Sequence, residues 1–208
     1  LIDKGKTMRR KIIFATGNPN KLKEIRAILP TFDIISAKDA GISLDIEETG
    51  TTFRDNAYIK AKAIWDITGG IVLSDDSGLE VDYIGGEPGI YSSRYMGEDT
   101  SYTIKNQNII SRLKDAKGNE RSARFRACIC AVLEDGSAIF TEGSMEGLIS
   151  QTISGENGFG YDPILYLPEY NKTSAEIDPD EKNRISHRGK ALTAMKKKLE
   201  EIYESTDC

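Results

Sequence analysis

Apolar residues along the chain recur at two periods. Lys11–Thr16 (KIIFAT) is a β-branched and aromatic run of the kind that fills a buried strand. Beyond a Gly-Asn-Pro-Asn turn, Leu22, Ile25 and Leu29 share one helical face that stops at Pro30. Asp33–Ala37 returns to strand character, and Ala40–Gly50 reads as loop. Thr52, with Asp55 three positions later, resembles a capping box that opens a helix carrying Phe53, Ala57 and Ile64 inward as far as about Ile67. Gly69-Gly70 ends it, and Ile71–Ser74 forms a third short strand running into an Asp75-Asp76-Ser77-Gly78 turn. This β-α-β-α-β opening predicts α/β layering.

The second half is patterned differently. Gly85-Gly86 and Pro88-Gly89 mark turns, and Thr100–Leu113 fits a helix. Phe125, Ala127, Ile129, Ala131 and Leu133 alternate onto one face, and Asp135-Gly136 turns the chain back into Ser137–Thr141 as a hairpin. A Gly-rich stretch, Gly155–Asp162, leads to Pro163–Leu167, and a closing helix from about Arg184 carries Leu192, Met195, Leu199 and Ile202 at helical spacing. No repeat or linker divides the chain, so residues 8–208 are expected to form a single domain. Residues 1–7, ahead of Met8, are read as a non-native or disordered extension.

Composition narrows the class. A chain of 208 residues buries about 70% of its unfolded surface, enough for one sizeable core. Hydrophobic residues at 38% and charged residues at 29% describe a globular chain rather than a disordered one. No apolar run nears the ~18 residues of a membrane span, and Leu1 to Lys11 lacks the apolar centre of a signal peptide. The net charge of −5 argues against a surface that coats a nucleic-acid polymer, so any polyanion must meet a few locally placed cations. Cys128 and Cys130 share a strand face but stand too far apart for an easy disulfide, and no C-x-x-C spacing exists. Buried free thiols and a cytoplasmic location are expected.

Four segments carry candidate chemistry, each with an ordinary structural use beside it. Thr16-Gly17-Asn18-Pro19-Asn20-Lys21 joins a strand to a helix, which aims backbone N–H groups and a lysine at a crevice suited to phosphate; it also reads as a plain Asn-Pro helix start. Glu47-Glu48 and Asp75-Asp76 are carboxylate pairs at loop ends. The two aspartates should point to opposite sides, and one carboxylate from each pair would suffice for Mg²⁺ shared with substrate phosphates. Gly158-Phe159-Gly160-Tyr161-Asp162-Pro163 could bring backbone and a stacking aromatic close to a flat ligand, or make a tight turn. Lys182, His187 and Arg188, near the start of the last helix, could converge as hydrogen-bond donors. One histidine makes a zinc site a poor expectation.

Taken together and in order, these blocks resemble the inosine triphosphate pyrophosphatase family, the dITP/XTP diphosphatases. The matching stretches are Ala15–Asn18 with Lys21, Glu47–Gly50 with Thr52, Phe53, Asn56 and Ala57, Asp75–Leu79, Gly86 with Pro88–Ser92, Arg94 and Tyr95, Gly158–Pro163, and Ile185–Gly189. The resemblance implies a long mixed, twisted β-sheet flanked by helices, with two lobes around a central cleft, as a homodimer. It implies Mg²⁺-dependent hydrolysis of non-standard purine nucleoside triphosphates to the monophosphate and pyrophosphate. By position it implies Glu47 and Asp76 as magnesium carboxylates, Asp76 also as the base for water, and Thr16–Lys21 with Lys60 as phosphate contacts. Ser77 is implied as a further substrate contact, Phe159–Asp162 as the base-stacking segment, and Lys182, His187 and Arg188 as base-reading donors. Two rival readings use the same pocket: a non-catalytic nucleotide- or RNA-binding module, and a Maf-type pyrophosphatase for other modified nucleotides.

Overall fold

In the computed structural model, which describes residues 9–42 and 46–204, the first strand, β1 (Lys11–Ala15), sits between two parallel neighbours, β2 (Asp33–Ser36) and β3 (Ile71–Val81). The extension read at residues 1–7, its boundary at Met8, and Cys208 lie outside the described residues. Helix α1 (Pro19–Ile28) links β1 to β2, and α2 (Phe53–Thr68) links β2 to β3. Asn18 and Thr52 cap these helices, as their positions before the apolar faces predict. The hairpin β4 (Ser122–Val132) and β5 (Ala138–Ile149) extends the sheet antiparallel to β3, and β6 (Leu165–Leu167) and β7 (Lys172–Thr173) complete the order β2-β1-β3-β4-β5-β6-β7. Helix α3 (Tyr102–Arg112) and two C-terminal helices, α4 (Pro179–Ile185) and α5 (His187–Glu204), complete the α-helices of the described residues. The expected mixed sheet flanked by helices is present.

Three apolar clusters divide the molecule. Ile25 and Leu29 of α1 and Leu192, Met195 and Leu199 of α5 cover one face of the sheet, over Ile12, Phe14, Leu73, Ile129 and Ala131. On the opposite face Ala57, Ala61 and Ile64 of α2 cover Val72, Cys128, Cys130 and Val132. The two thiols are buried and free, and burial pushes both up to about 12. A second lobe gathers Leu79, Val81, Ile109, Leu113, Phe125, Met145 and Tyr161 around the far halves of β3, β4 and β5.

Two elements differ from expectation, and both shape the cleft. Asp75-Asp76-Ser77-Gly78 is not a turn but the middle of β3, because β4 supplies ladder partners from Asp75↔Ile129 through Val81↔Ala123. Pairing across a long neighbour overrides the local turn preference of these residues. Meanwhile β1 ends at Ala15, opposite Ser74, so β3 runs on past its parallel neighbour. The C-terminal helix is likewise two helices, broken at Ser186 (ψ 158°). Ser186 Oγ accepts the Gly189 N–H at 3.0 Å and starts α5 anew at His187. Only glycine fits at 189, where a Cβ would sit 1.7 Å from the Asn183 carbonyl oxygen.

Candidate active site

Where β3 outruns β1, a cavity of about 320 Å³ opens between the lobes. This is the place where a ligand binds in open α/β sheets, beyond the carboxyl ends of parallel strands. Thr16, Gly17, Asn18 and Lys21 line it from the β1–α1 corner, whereas Pro19 and Asn20 do not. Asn18 Oδ1 accepts the backbone N–H groups of Asn20 (2.9 Å) and Lys21 (3.4 Å), and Thr16 Oγ1 accepts that of Asn18 (3.1 Å). The helix-end donors expected to face a phosphate are thus largely engaged by the cap itself. Between Thr16 and Lys21, Gly17 alone has an N–H without a partner among the described residues.

Alternation along β3 sends Asp75 and Asp76 to opposite sides of the sheet, as expected. Asp75 Oδ2 takes Arg188 Nε at 2.6 Å and Lys21 Nζ at 3.2 Å. Arg188 also donates to Glu24 Oε2 (2.6 Å) and Ser77 Oγ (3.0 Å). Burial alone would raise the Asp75 carboxyl, but Lys21 and Arg188 outweigh it and hold the group well below the usual carboxylate range. Asp76 Oδ1 lies 3.4 Å from Lys60 Nζ, and that ammonium also donates to Glu48 Oε1 at 2.6 Å. Burial, with Glu48 nearby, raises Asp76 despite Lys60. Glu47, implied as a metal carboxylate, is exposed and stands outside the cavity lining. Side chains alternate along Ile46–Gly50, so Ile46 and Glu48 turn inward and Glu47 outward.

The second lobe supplies the segment read as a base-stacking site, and Phe159, Gly160, Tyr161 and Asp162 all line the cavity. The Phe159 ring is faced by the Arg188 guanidinium at 5.5 Å and the Lys182 ammonium at 5.7 Å. Asp162 fixes this arrangement, accepting from Lys182 Nζ (2.5 Å), the Phe159 N–H (2.8 Å) and Ser174 Oγ (2.8 Å). Gly158 (φ 79°) passes so close that a Cβ would lie 2.2 Å from Asp162 Oδ2. Tyr161 is buried, donates its phenol to the Ser92 carbonyl at 2.8 Å, and meets Tyr102 edge-on, so it braces the wall.

His187 also lines the cavity, stacked on Phe125 with ring centroids 4.9 Å apart. Burial, then Arg188, hold its pKa well below the ordinary value, so the imidazole is neutral and offers one N–H rather than two. Lys182, His187 and Arg188 do converge, with Arg188 and Lys182 as the cationic donors. Ser92, Ser93, Tyr102 and Phe125 line the cleft without having been singled out from sequence, and of the expected Glu47-Glu48 carboxylate pair it is Glu48 that lines it. Ser92 sits in one of the ordered blocks, while Phe125 carries only the strand alternation of a core residue.

Among the described residues no three His, Cys, Asp or Glu side chains converge as a ready-made metal cage. Asp76 Oδ2 is buried without a hydrogen-bond partner, and Glu48 lines the same cavity. One or two carboxylates completed by phosphate oxygens and water is the arrangement that suits Mg²⁺, so the residues fit that ion together with a phosphate ligand.

Comparison with known proteins places the chain in a family. The sequence model of the Ham1 family matches residues 12–198. The chain is 47% identical over 203 residues to the dITP/XTP pyrophosphatase of Clostridium perfringens, covering 94% of this chain and 100% of that one. It is 42% identical to the dITP/XTP pyrophosphatase of Bacillus subtilis, covering 92% and 98%. The HAM1 protein of Coxiella burnetii superposes with a TM-score of 0.85 at 39% identity, covering 92% of this chain and 99% of that one. The Staphylococcus aureus Ham1 protein does so with 0.84 at 36% identity, covering 93% and 100%. With nearly the whole chain matched, this protein belongs to the Ham1 family.

Proposed function

We propose that the chain hydrolyses non-standard purine nucleoside triphosphates (ITP, dITP, XTP) to the monophosphate and pyrophosphate, as a cytoplasmic homodimer. One observation carries the reading: a single cleft places an aromatic ring faced by two cations beside a carboxylate with an undonated oxygen. The names of the relatives, dITP/XTP pyrophosphatases, support it.

Thr16, Asn18, the Gly17 N–H, Lys21, Lys60 and Ser77 hold the triphosphate. Asp76, with a carboxylate of the Glu47–Glu48 segment, would hold Mg²⁺. When bound, that ion neutralises charge on the triphosphate and on the leaving pyrophosphate. Asp76 Oδ2 takes a proton from the water that attacks the α-phosphorus. Its raised pKa suits a base better than the deeply depressed Asp75 does. Phe159 stacks on the base while Lys182 and Arg188 donate to O6 and N7. Adenine keeps the N7 acceptor but puts a donor amino group at position 6, leaving the buried donor to O6 unpaired.

A panel of nucleotides assayed for pyrophosphate release with Mg²⁺ tests this. ITP and XTP should exceed ATP in kcat/KM by a factor of at least 10², since mismatched buried donors discriminate by up to ~10⁴. Equal values for ATP and ITP sink the donor scheme. Preference for dUTP or a methylated pyrimidine triphosphate points to the Maf-type reading, and binding without turnover points to a binding module.

A further inference from the structure

Glu48 is shared between two cations that belong to different lobes. Its Oε1 takes Lys60 Nζ at 2.6 Å, from α2 on the first lobe. Its Oε2 takes Arg94 Nη1 at 3.0 Å. Arg94 is not among the cavity-lining residues, so it grips Glu48 from behind while Lys60 meets it from within.

The footing of Arg94 is firm. Just before it, Ser92 Oγ accepts the Leu79 N–H (2.9 Å) and donates to the Gly89 carbonyl (2.6 Å). The Tyr161 phenol holds the Ser92 carbonyl, and buried Lys105 holds that of Ser93 at 2.6 Å. The guanidinium also rests 4.9 Å over the Tyr91 ring. Glu48 is held on its own side as well, where Asn56 Oδ1 accepts the Gly50 N–H at 2.8 Å. The Arg94–Glu48 pair therefore ties a well-anchored corner of the second lobe to the segment entering α2.

We infer that Arg94 is a positioning residue, which through Glu48 keeps the Lys60 ammonium out over the cleft for the triphosphate. Lys60 stands between two carboxylates, Glu48 at 2.6 Å and Asp76 at 3.4 Å. Without Arg94, Glu48 loses its hold across the cleft, and Lys60 settles against Asp76, where it faces the base and not the substrate. The inference rests on the proposed reading that Lys60 contacts phosphate.

The test is calorimetric binding of inorganic tripolyphosphate, without added metal, to the full chain and to K60Q, R94M, R94K, E48Q and the R94M/E48Q pair. Glu48 and Arg94 are partly exposed, so their variants should fold, and a thermal melt of each confirms it. R94M is expected to weaken binding at least tenfold, R94K to stay within about threefold of wild type, and the double variant to be no weaker than R94M. E48Q carries the sign that decides: removing a negative charge beside an anion site should tighten binding on charge alone, and a direct Arg94–phosphate contact would also gain. Positioning requires that E48Q weaken it. Wild-type affinity in R94M, or tighter binding in E48Q, overturns the inference. Wild-type affinity in K60Q overturns instead the reading on which it rests.

Discussion

Asp75 and Asp76 are consecutive residues of one strand, yet each belongs to a separate ion network on its own side of the sheet. Arg188 and Lys21 close on Asp75 at 2.6 and 3.2 Å, while Lys60 approaches Asp76 at 3.4 Å. The same backbone step that reverses their direction also drives their pKa values apart, Asp75 far down and Asp76 up. Neighbouring carboxylates separated in this way can divide labour, one as a fixed counter-ion and the other as a proton acceptor.

Asp76→Asn should therefore abolish the proposed chemistry while leaving the ligand bound. General-base removal costs about 10² to 10⁴ in rate. Mg²⁺-dependent pyrophosphate release from ITP should fall by that factor in kcat, with KM changed far less. Near-wild-type turnover would remove Asp76 from its role.

Asp75→Asn should act on stability instead. It leaves Lys21 and Arg188 buried without their shared counter-charge, and breaking a buried pair costs about 3–5 kcal/mol. The pH dependence has a fixed sign. A carboxyl depressed in the folded state contributes in full above its unfolded value of 3.8, and that contribution is lost as pH falls toward the lower folded value. Urea unfolding of the wild type should accordingly weaken more steeply between pH 5 and 3, by rough estimate, than that of Asp75→Asn. Parallel slopes would remove Asp75 as the source.

The caps, the parallel opening and the Asp135-Gly136 hairpin were legible because each depends on residues close in sequence. Asn18 and Thr52 precede their own helices, and the Gly136 N–H closes its turn on the Leu133 carbonyl. The course of β3 was not legible, because Asp75–Gly78 is held extended by β4, some fifty residues on. The Arg94–Glu48 pairing escaped for the same reason: a 46-residue separation leaves no periodic trace of it. Glu47 and Glu48 differ only in which way the side chain turns, and that is set where Lys60 and Arg94 stand.

Gly158 offers a test of the base end alone. Alanine there must adopt φ 79° and push its Cβ into Asp162 Oδ2 and Lys182 Nζ, at 2.2 and 2.6 Å. The Lys182–Asp162 pair and the Phe159 ring should shift together. Gly158→Ala is expected to raise KM for ITP about tenfold or more, the effect of losing about 1.4 kcal/mol or more of binding, and to narrow the preference over ATP. Tripolyphosphate, which lacks a base, should bind as to wild type. Equal loss for both ligands would show that the segment does not act on the base.

His187, the chain's one histidine, should leave a signature in stability near neutral pH. Burial and Arg188 hold its folded pKa well below 6.5, against the pull of Asp75. As pH falls through 6.5 the unfolded chain takes up a proton that the folded chain refuses, so stability declines, by up to about 1.4 kcal/mol per pH unit. Asp76 works the other way, since its raised pKa lets the folded state hold the extra proton. Unfolding free energies should thus be compared in the Asp76→Asn background, where that opposing contribution is gone. His187→Asn in this background should flatten the slope between about pH 7 and 5.5. An unchanged slope would mean that His187 takes up its proton alike in the folded and unfolded chains, so that burial does not keep the imidazole neutral.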